Sequence, residues 1–244
     1  MSQIGSIYKT IGKEVEYSPF ALDLYPECSH RCKYCYVNWN APRQKYSLMN
    51  LDRELKRLAF LGDRGIVTIS FVSDPYDKGR KDNSYTRNVL ELFRKNNHPF
   101  QVLTKGGTMA ISDFDLYGPD DRFGASLTFD NEIDSKTWEP GAALPADRIE
   151  ALRLAHEKGI KTFVSLEPVI EPDQTLHLIE LTHEFIDFYW VGKINHNAEL
   201  EGKIKWSEFR LNAETILRNL NKNFKVKKEL ALYPLPKGHN SLLE

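Results

Sequence analysis

Phe20-Ala21-Leu22-Asp23-Leu24-Tyr25-Pro26-Glu27-Cys28-Ser29-His30-Arg31-Cys32-Lys33-Tyr34-Cys35-Tyr36 joins a short apolar run to every cysteine of the chain. Residues 20–25 read as a first strand, and the thiols follow it directly. Gaps of three and then two residues bring Cys28, Cys32 and Cys35 together on one tight loop. Soft thiolates clustered this closely suit zinc or an iron–sulfur cluster. Three ligands leave one iron of a four-iron cluster without a protein partner. An open metal position is where metal chemistry takes place.

Outward from this stretch, short apolar runs alternate with amphipathic ones. Residues 66–72, rich in β-branched side chains, read as a strand, as do residues 100–103, 123–127, 161–166 and 188–191. Helices are expected over 48–61, 85–95, 145–158, 174–184 and 206–220, with a shorter one over 109–116. Pro145 near the start of its helix and Gly159 after the end are good punctuation. Six strands alternating with helices imply an α/β fold with a parallel sheet and right-handed crossovers. Six units fit a partial (β/α)6 TIM-like barrel better than a closed barrel of eight. Periodicity alone also allows a doubly wound open sheet. Residues from 221 onward read as a basic tail packed irregularly on the body.

The chain has 244 residues, 41% of them apolar, enough for one substantial core. We expect one domain over 1–244, with its core over about 18–200 and a C-terminal helix and tail over 206–244. No apolar run is long enough for a membrane span, and the N-terminus has no apolar signal core. Clustered, odd-numbered cysteines fit a reducing, cytoplasmic setting. A monomer is expected. The net charge of −1 gives little support to a protein that grips nucleic acid electrostatically. Lys78, Arg80 and Lys81, and Lys225, Lys227 and Lys228, are local basic clusters that read first as solvated faces.

Polar residues gather after each strand, where parallel barrels carry their chemistry. Ser73-Asp74-Pro75-Tyr76-Asp77, Thr104-Lys105-Gly106-Gly107, Ser126 with Thr128-Phe129-Asp130, Ser165-Leu166-Glu167-Pro168 and Gly192-Lys193-Ile194-Asn195-His196 follow five of them. Asp74 and Glu167 have the charge to hold an ammonium group and Lys105 to hold a carboxylate, a combination suited to a zwitterionic amino acid. Asp130, Glu132, Trp138, Lys193, Asn195 and His196 are candidate substrate-side residues.

The three cysteines, with aromatic Tyr34 before the last, resemble the radical S-adenosylmethionine (radical SAM) superfamily. Cys28-Ser29-His30-Arg31-Cys32-Lys33-Tyr34-Cys35-Tyr36 resembles its spore photoproduct lyase-like (DNA repair photolyase-like) branch. Ser73-Asp74-Pro75-Tyr76, Thr104-Lys105, Glu139-Pro140 and Ser165-Leu166-Glu167-Pro168 extend the likeness over residues 18–196. The resemblance implies a 4Fe–4S cluster on Cys28, Cys32 and Cys35, with S-adenosylmethionine chelating the fourth iron. It places Tyr34, Ser73, Lys105 and Ser126 near that cofactor; charge adds Asp74 and Glu167. It implies an enzyme in which one electron cleaves S-adenosylmethionine to a 5′-deoxyadenosyl radical that takes hydrogen from a substrate. The electron would come from a donor such as flavodoxin or ferredoxin; the substrate is a small molecule, peptide or nucleic acid. Burial behind Tyr25, Tyr34 and Tyr36 would shield the cluster.

One departure is chemical. The lyase uses a further cysteine as hydrogen donor just before its Ser-Asp pair, where this chain has Val72. The alternative from another class is a structural zinc module, with His30 completing a Cys3His set.

Overall fold

The structure is a computed structural model that describes residues 6–37, 48–195 and 197–235. Among the described residues eight strands form one sheet in sequence order: β1 (Tyr8–Lys9), β2 (Phe20–Ala21), β3 (Val67–Ile69), β4 (Phe100–Thr104), β5 (Arg122–Ser126), β6 (Lys161–Leu166), β7 (Phe188–Val191) and β8 (Asn223–Val226). β1 runs antiparallel to β2, and every later pairing is parallel. The sheet is open, with β1 and β8 at its edges. The six strands expected from the sequence are β2 to β7, so the partial barrel stands, extended by one strand on each side.

The crossovers are helical, as parallel neighbours require. α1 (Leu48–Phe60) precedes β3 and α2 (Ser84–Lys95) precedes β4. The short helix expected over 109–116 is a 3₁₀ helix (Gly107–Leu116). α3 (Glu132–Trp138) and α4 (Pro145–Glu157) join β5 to β6, and α5 (Pro172–Thr182) follows β6. α6 (Ala198–Lys203) and α7 (Trp206–Asn219) lead to β8, and α8 (Lys228–Ala231) follows it. No helix among the described residues is long and apolar enough to cross a membrane.

Strand residues alternate between two environments, as a period of two demands. Val67, Ile69, Val102, Phe123, Val164 and Val191 join Leu55, Phe93, Leu152 and Leu217 of the helices in the main core. On the other face Phe163 and Trp190 pack with Tyr17, Leu103 and Phe71 in a smaller cluster. Gly124 lies under the Phe163 ring, where a Cβ would meet ring carbons at 2.4 Å. Thr68 and Gln101 occupy the same inner face and are hydrogen-bonded to each other at 2.7 Å.

Two strands are shorter than their apolar runs, and Asp23 is the reason. Its Oδ1 accepts from Ser70 Oγ (2.7 Å), Phe71 N (2.9 Å) and Val72 N (2.8 Å). Its Oδ2 accepts from Tyr8 Oη at 2.9 Å. A side chain thus replaces the sheet ladder after β2 and β3, and both segments bend away as loops. The tail expected to be irregular from residue 221 instead supplies β8, paired from Phe188↔Asn223 to Val191↔Val226. Its lysines obscured the alternation of Phe224 and Val226. Across the open seam, Glu16 accepts from Lys228 N at 2.9 Å and Lys13 pairs with Glu229 at 2.8 Å.

Asp23→Ala strands three donors after β3 and one phenol. We predict a loss of at least about 4 kcal/mol in urea unfolding, from one to three for each of these four orphaned groups. A loss below about 1 kcal/mol would show that the loop is held by other means.

Candidate active site at the strand ends

The cysteine loop has almost no regular structure, so its shape is set by what grips it. On one side, Asp77 accepts from Ser29 N at 2.6 Å and from Ser29 Oγ. Arg80 donates to the Glu27 carbonyl at 3.1 Å and stacks 3.4 Å from the Tyr25 ring centroid. Tyr25 N donates to Ser73 Oγ at 3.2 Å. On the other side, Lys33 N donates to the Trp138 carbonyl at 2.8 Å and Gly141 N to the His30 carbonyl at 3.0 Å. Tyr34 Oη donates to buried Glu139.

The loops after β3 and β4 are fixed by Asp74. Its Oδ1 accepts from Tyr76 N (2.8 Å) and Thr104 Oγ1 (2.6 Å), and its Oδ2 from Lys105 N at 2.6 Å. These bonds commit Asp74 to positioning Lys105. Glu167 is likewise engaged: Lys227 pairs with it, Tyr17 Oη donates at 3.3 Å and Asn195 Nδ2 at 3.2 Å. Neither carboxylate is a free ammonium site. Lys105 lies 5.7 Å from the Tyr34 ring centroid.

A cavity of about 400 Å³ opens at these strand ends. It is lined by all nine residues singled out for cluster and cofactor: Cys28, Cys32, Cys35, Tyr34, Ser73, Asp74, Lys105, Ser126 and Glu167. Lys193 and Asn195 also line it. Asp130, Glu132 and Trp138 do not. Asp130 pairs with His177 at 2.8 Å, Glu132 with Lys136 at 2.8 Å, and Trp138 stacks on Phe129. His196 lies outside the described residues. Ser165, from the polar group after its strand, lines it too, and Tyr17 and Lys227 are cavity residues that the sequence did not reveal. Tyr17 lies between β1 and β2 and its Oη is 2.6 Å from Ser165 Oγ. Lys227 read as part of a basic face, yet it is buried against Glu167. In the other basic cluster Lys78 pairs with Asp147 at 3.0 Å and Arg80 braces the cysteine loop.

The three thiols are free, and burial pushes Cys28 and Cys32 up to about 11. Metal binding there would displace protons. Soft donors in this number fit an iron–sulfur cluster with one open iron. His30 is 2% exposed, and its nitrogens face carboxylates, Nδ1 at 3.6 Å from Asp74 and Nε2 at 3.9 Å from Asp77. Its Nε2 has no hydrogen-bond partner among the described residues. Among those residues no three His, Cys, Asp or Glu side chains converge as ligands of a single ion do, so the Cys3His zinc arrangement is not assembled. Of the three tyrosines expected to screen the cluster, Tyr34 and Tyr36 line the cavity and Tyr25 does not. Tyr25 turns to Thr86 at 2.9 Å, and Tyr36 is 60% exposed.

An open parallel barrel with three cysteines after its first parallel strand defines a class, and the family comparison agrees. The radical SAM superfamily model matches residues 22–186, and the chain belongs to that superfamily. Its members use a 4Fe–4S cluster and S-adenosylmethionine. An uncharacterised protein of Methanocaldococcus jannaschii is 29% identical over 196 residues, covering 75% of this chain and 73% of its own. An uncharacterised protein of Acidianus two-tailed virus is 27% identical over 184 residues, covering 67% of this chain and 60% of its own. Spore photoproduct lyase complexed with dinucleoside spore photoproduct superposes with a TM-score of 0.68 at 14% identity, over 89% of this chain and 78% of the lyase. Streptococcus suis SuiB bound to S-adenosylmethionine gives 0.63 at 18% identity, over 83% of this chain; the chain spans about half (49%) of SuiB. At these identities both structures show the fold.

A Cβ on Gly141 would lie 2.3 Å from the Ser29 carbonyl oxygen and 2.8 Å from His30 Cα. Gly141→Ala must therefore push the cysteine loop. We predict several-fold less iron after anaerobic reconstitution, against no change for Gly202→Ala, where a Cβ meets nothing within 4 Å. Equal iron in the two variants would show that the loop tolerates displacement.

Proposed function

We propose that this chain is a radical SAM enzyme that generates a 5′-deoxyadenosyl radical and uses it on an organic substrate held in the barrel mouth. The observation that carries the reading is the meeting of three free thiols with Lys105, Ser73, Ser126 and Tyr34 around one cavity. In this reading Cys28, Cys32 and Cys35 hold the cluster. Tyr34, Ser73, Lys105 and Ser126 bind S-adenosylmethionine, and Asp74 holds the Lys105 backbone in place. When bound, the reduced cluster supplies the electron that breaks the sulfonium bond to methionine and the radical, which then abstracts hydrogen.

The residues from β6 to β8 play a different part. Glu167, Asn195 and Lys227, with Tyr17, form the wall that faces the substrate. Aromatic side chains on the inner sheet face keep water from the cavity floor, as a radical site requires. Val72 lines the cavity in place of the lyase's donor cysteine. With all three cysteines on the cluster, no thiol of the chain remains to give a hydrogen atom to a product radical. The overall reaction therefore differs from repair by the lyase in its closing step. A one-electron donor such as flavodoxin or ferredoxin completes the cycle. The substrate is a small molecule, a peptide or a nucleic acid that presents one residue to the mouth.

Cys32→Ala removes one of three ligands. We predict loss of the brown cluster and a fall of at least about a hundredfold in 5′-deoxyadenosine formed from S-adenosylmethionine and dithionite. Unchanged iron, sulfide and cleavage in that variant would refute the assignment, and zinc without iron in the wild-type protein would favour a structural metal module.

A further inference from the structure

Glu139 and Arg148 form an ion pair that is almost wholly enclosed, at 2% and 1% exposure. Arg148 Nη2 lies 2.5 Å from Glu139 Oε2. The rest of the guanidinium donates to the Ala143 carbonyl at 2.7 Å and to the Ser126 carbonyl at 3.0 Å. The second Glu139 oxygen accepts from Tyr34 and lies 3.4 Å from Thr128 Oγ1. The peptide segment around the pair continues the grip. Ala143 N donates to the Lys105 carbonyl at 2.9 Å, Gly141 N to the His30 carbonyl at 3.0 Å, and Lys33 N to the Trp138 carbonyl at 2.8 Å. The pair and its segment thus touch the cysteine loop, the end of β4 and the end of β5.

Stability alone is a weak reason for such a pair. Two buried charges seldom outperform apolar side chains of the same volume. Position gives a better reason. Burial would push the Glu139 carboxyl up, but Arg148 and Lys105 hold it below the usual glutamate range, so it stays charged. Tyr34, which Glu139 holds, sits between Cys32 and Cys35 in the cysteine loop.

We infer that the Glu139–Arg148 pair is a positioning element that also acts electrostatically. It locks Tyr34 and the Ser126 strand end to the cysteine loop, and its balanced charges set the reduction potential of a cluster held there. This rests on the proposed radical SAM reading. A net positive charge beside the cluster favours the reduced form and a net negative charge the oxidised form. Neutralising one partner therefore moves the potential in a direction fixed by which partner is lost. A merely structural pair would not give opposite signs.

The test is an EPR-monitored redox titration of reconstituted holoenzyme. Glu139→Gln leaves Arg148 uncompensated. We expect its cluster to reduce more easily, by on the order of tenfold in the reduced-to-oxidised ratio at fixed solution potential, or about 59 mV for one electron. Arg148→Met should shift the ratio by a similar factor the other way. The double variant should return close to the wild type. Shifts of the same sign, or none, overturn the inference.

Single variants of a buried pair risk folding poorly, so Arg148→Lys is included. It keeps the charge but lacks the planar fork that reaches three acceptors. We expect an unchanged potential and about tenfold weaker S-adenosylmethionine binding by calorimetry; unchanged binding overturns the positioning half. Failure of the wild-type protein to form any cluster would instead overturn the reading on which the inference rests.

Discussion

Carboxylates hold the cysteine loop, and the rest of the site depends on that grip. Residues 22–37 have no ladder or helix to shape them. Asp77 takes the Ser29 amide and hydroxyl, and Glu139 takes the Tyr34 phenol. Asp23 ties the start of the loop to residues 70–72, and Asp74 ties the next two strand ends together. Each of these acids accepts bonds from atoms on neighbouring segments. A buried carboxylate can accept from several donors at once, which suits it to hold irregular backbone where a strand has ended.

The sheet gives this loop its place. Its outer face is apolar and covered by helices, which makes the fold stable. Its inner face alternates with that one and carries hydroxyls, an amide and aromatic rings. The polar ends of β4 to β8 then converge above the inner face. Because the sheet is open, the N-terminal segment lies across its seam through Glu16 and Lys13 and brings Tyr17 to the cavity. Groups on β6 to β8 and groups on β2 to β5 thus share one space while belonging to different strands.

Much of this is legible in the sequence. The cysteine spacing, the six alternating units, the polar residues after each strand and the family resemblance lead to the fold and to nine of the residues that line the cavity. What sequence leaves hidden is pairing. Asp74 and Glu167 read as free charges, but their partners are a backbone amide and a lysine sixty residues away, which no local pattern announces. Lys227 is hidden for the same reason, and so is the strand that leads to it. Asp23 looks like one polar residue in an apolar run, although it ends two strands. Tyr17 lies between β1 and β2, outside any periodic signal.

The central claim is that three thiols hold a cluster whose remaining iron is open to S-adenosylmethionine. EPR of the anaerobically reconstituted, dithionite-reduced protein, with and without S-adenosylmethionine, tests it most directly. We predict a spin-half iron–sulfur signal whose g-values change when S-adenosylmethionine is added. A signal indifferent to S-adenosylmethionine, or a protein that binds no iron, would contradict the claim.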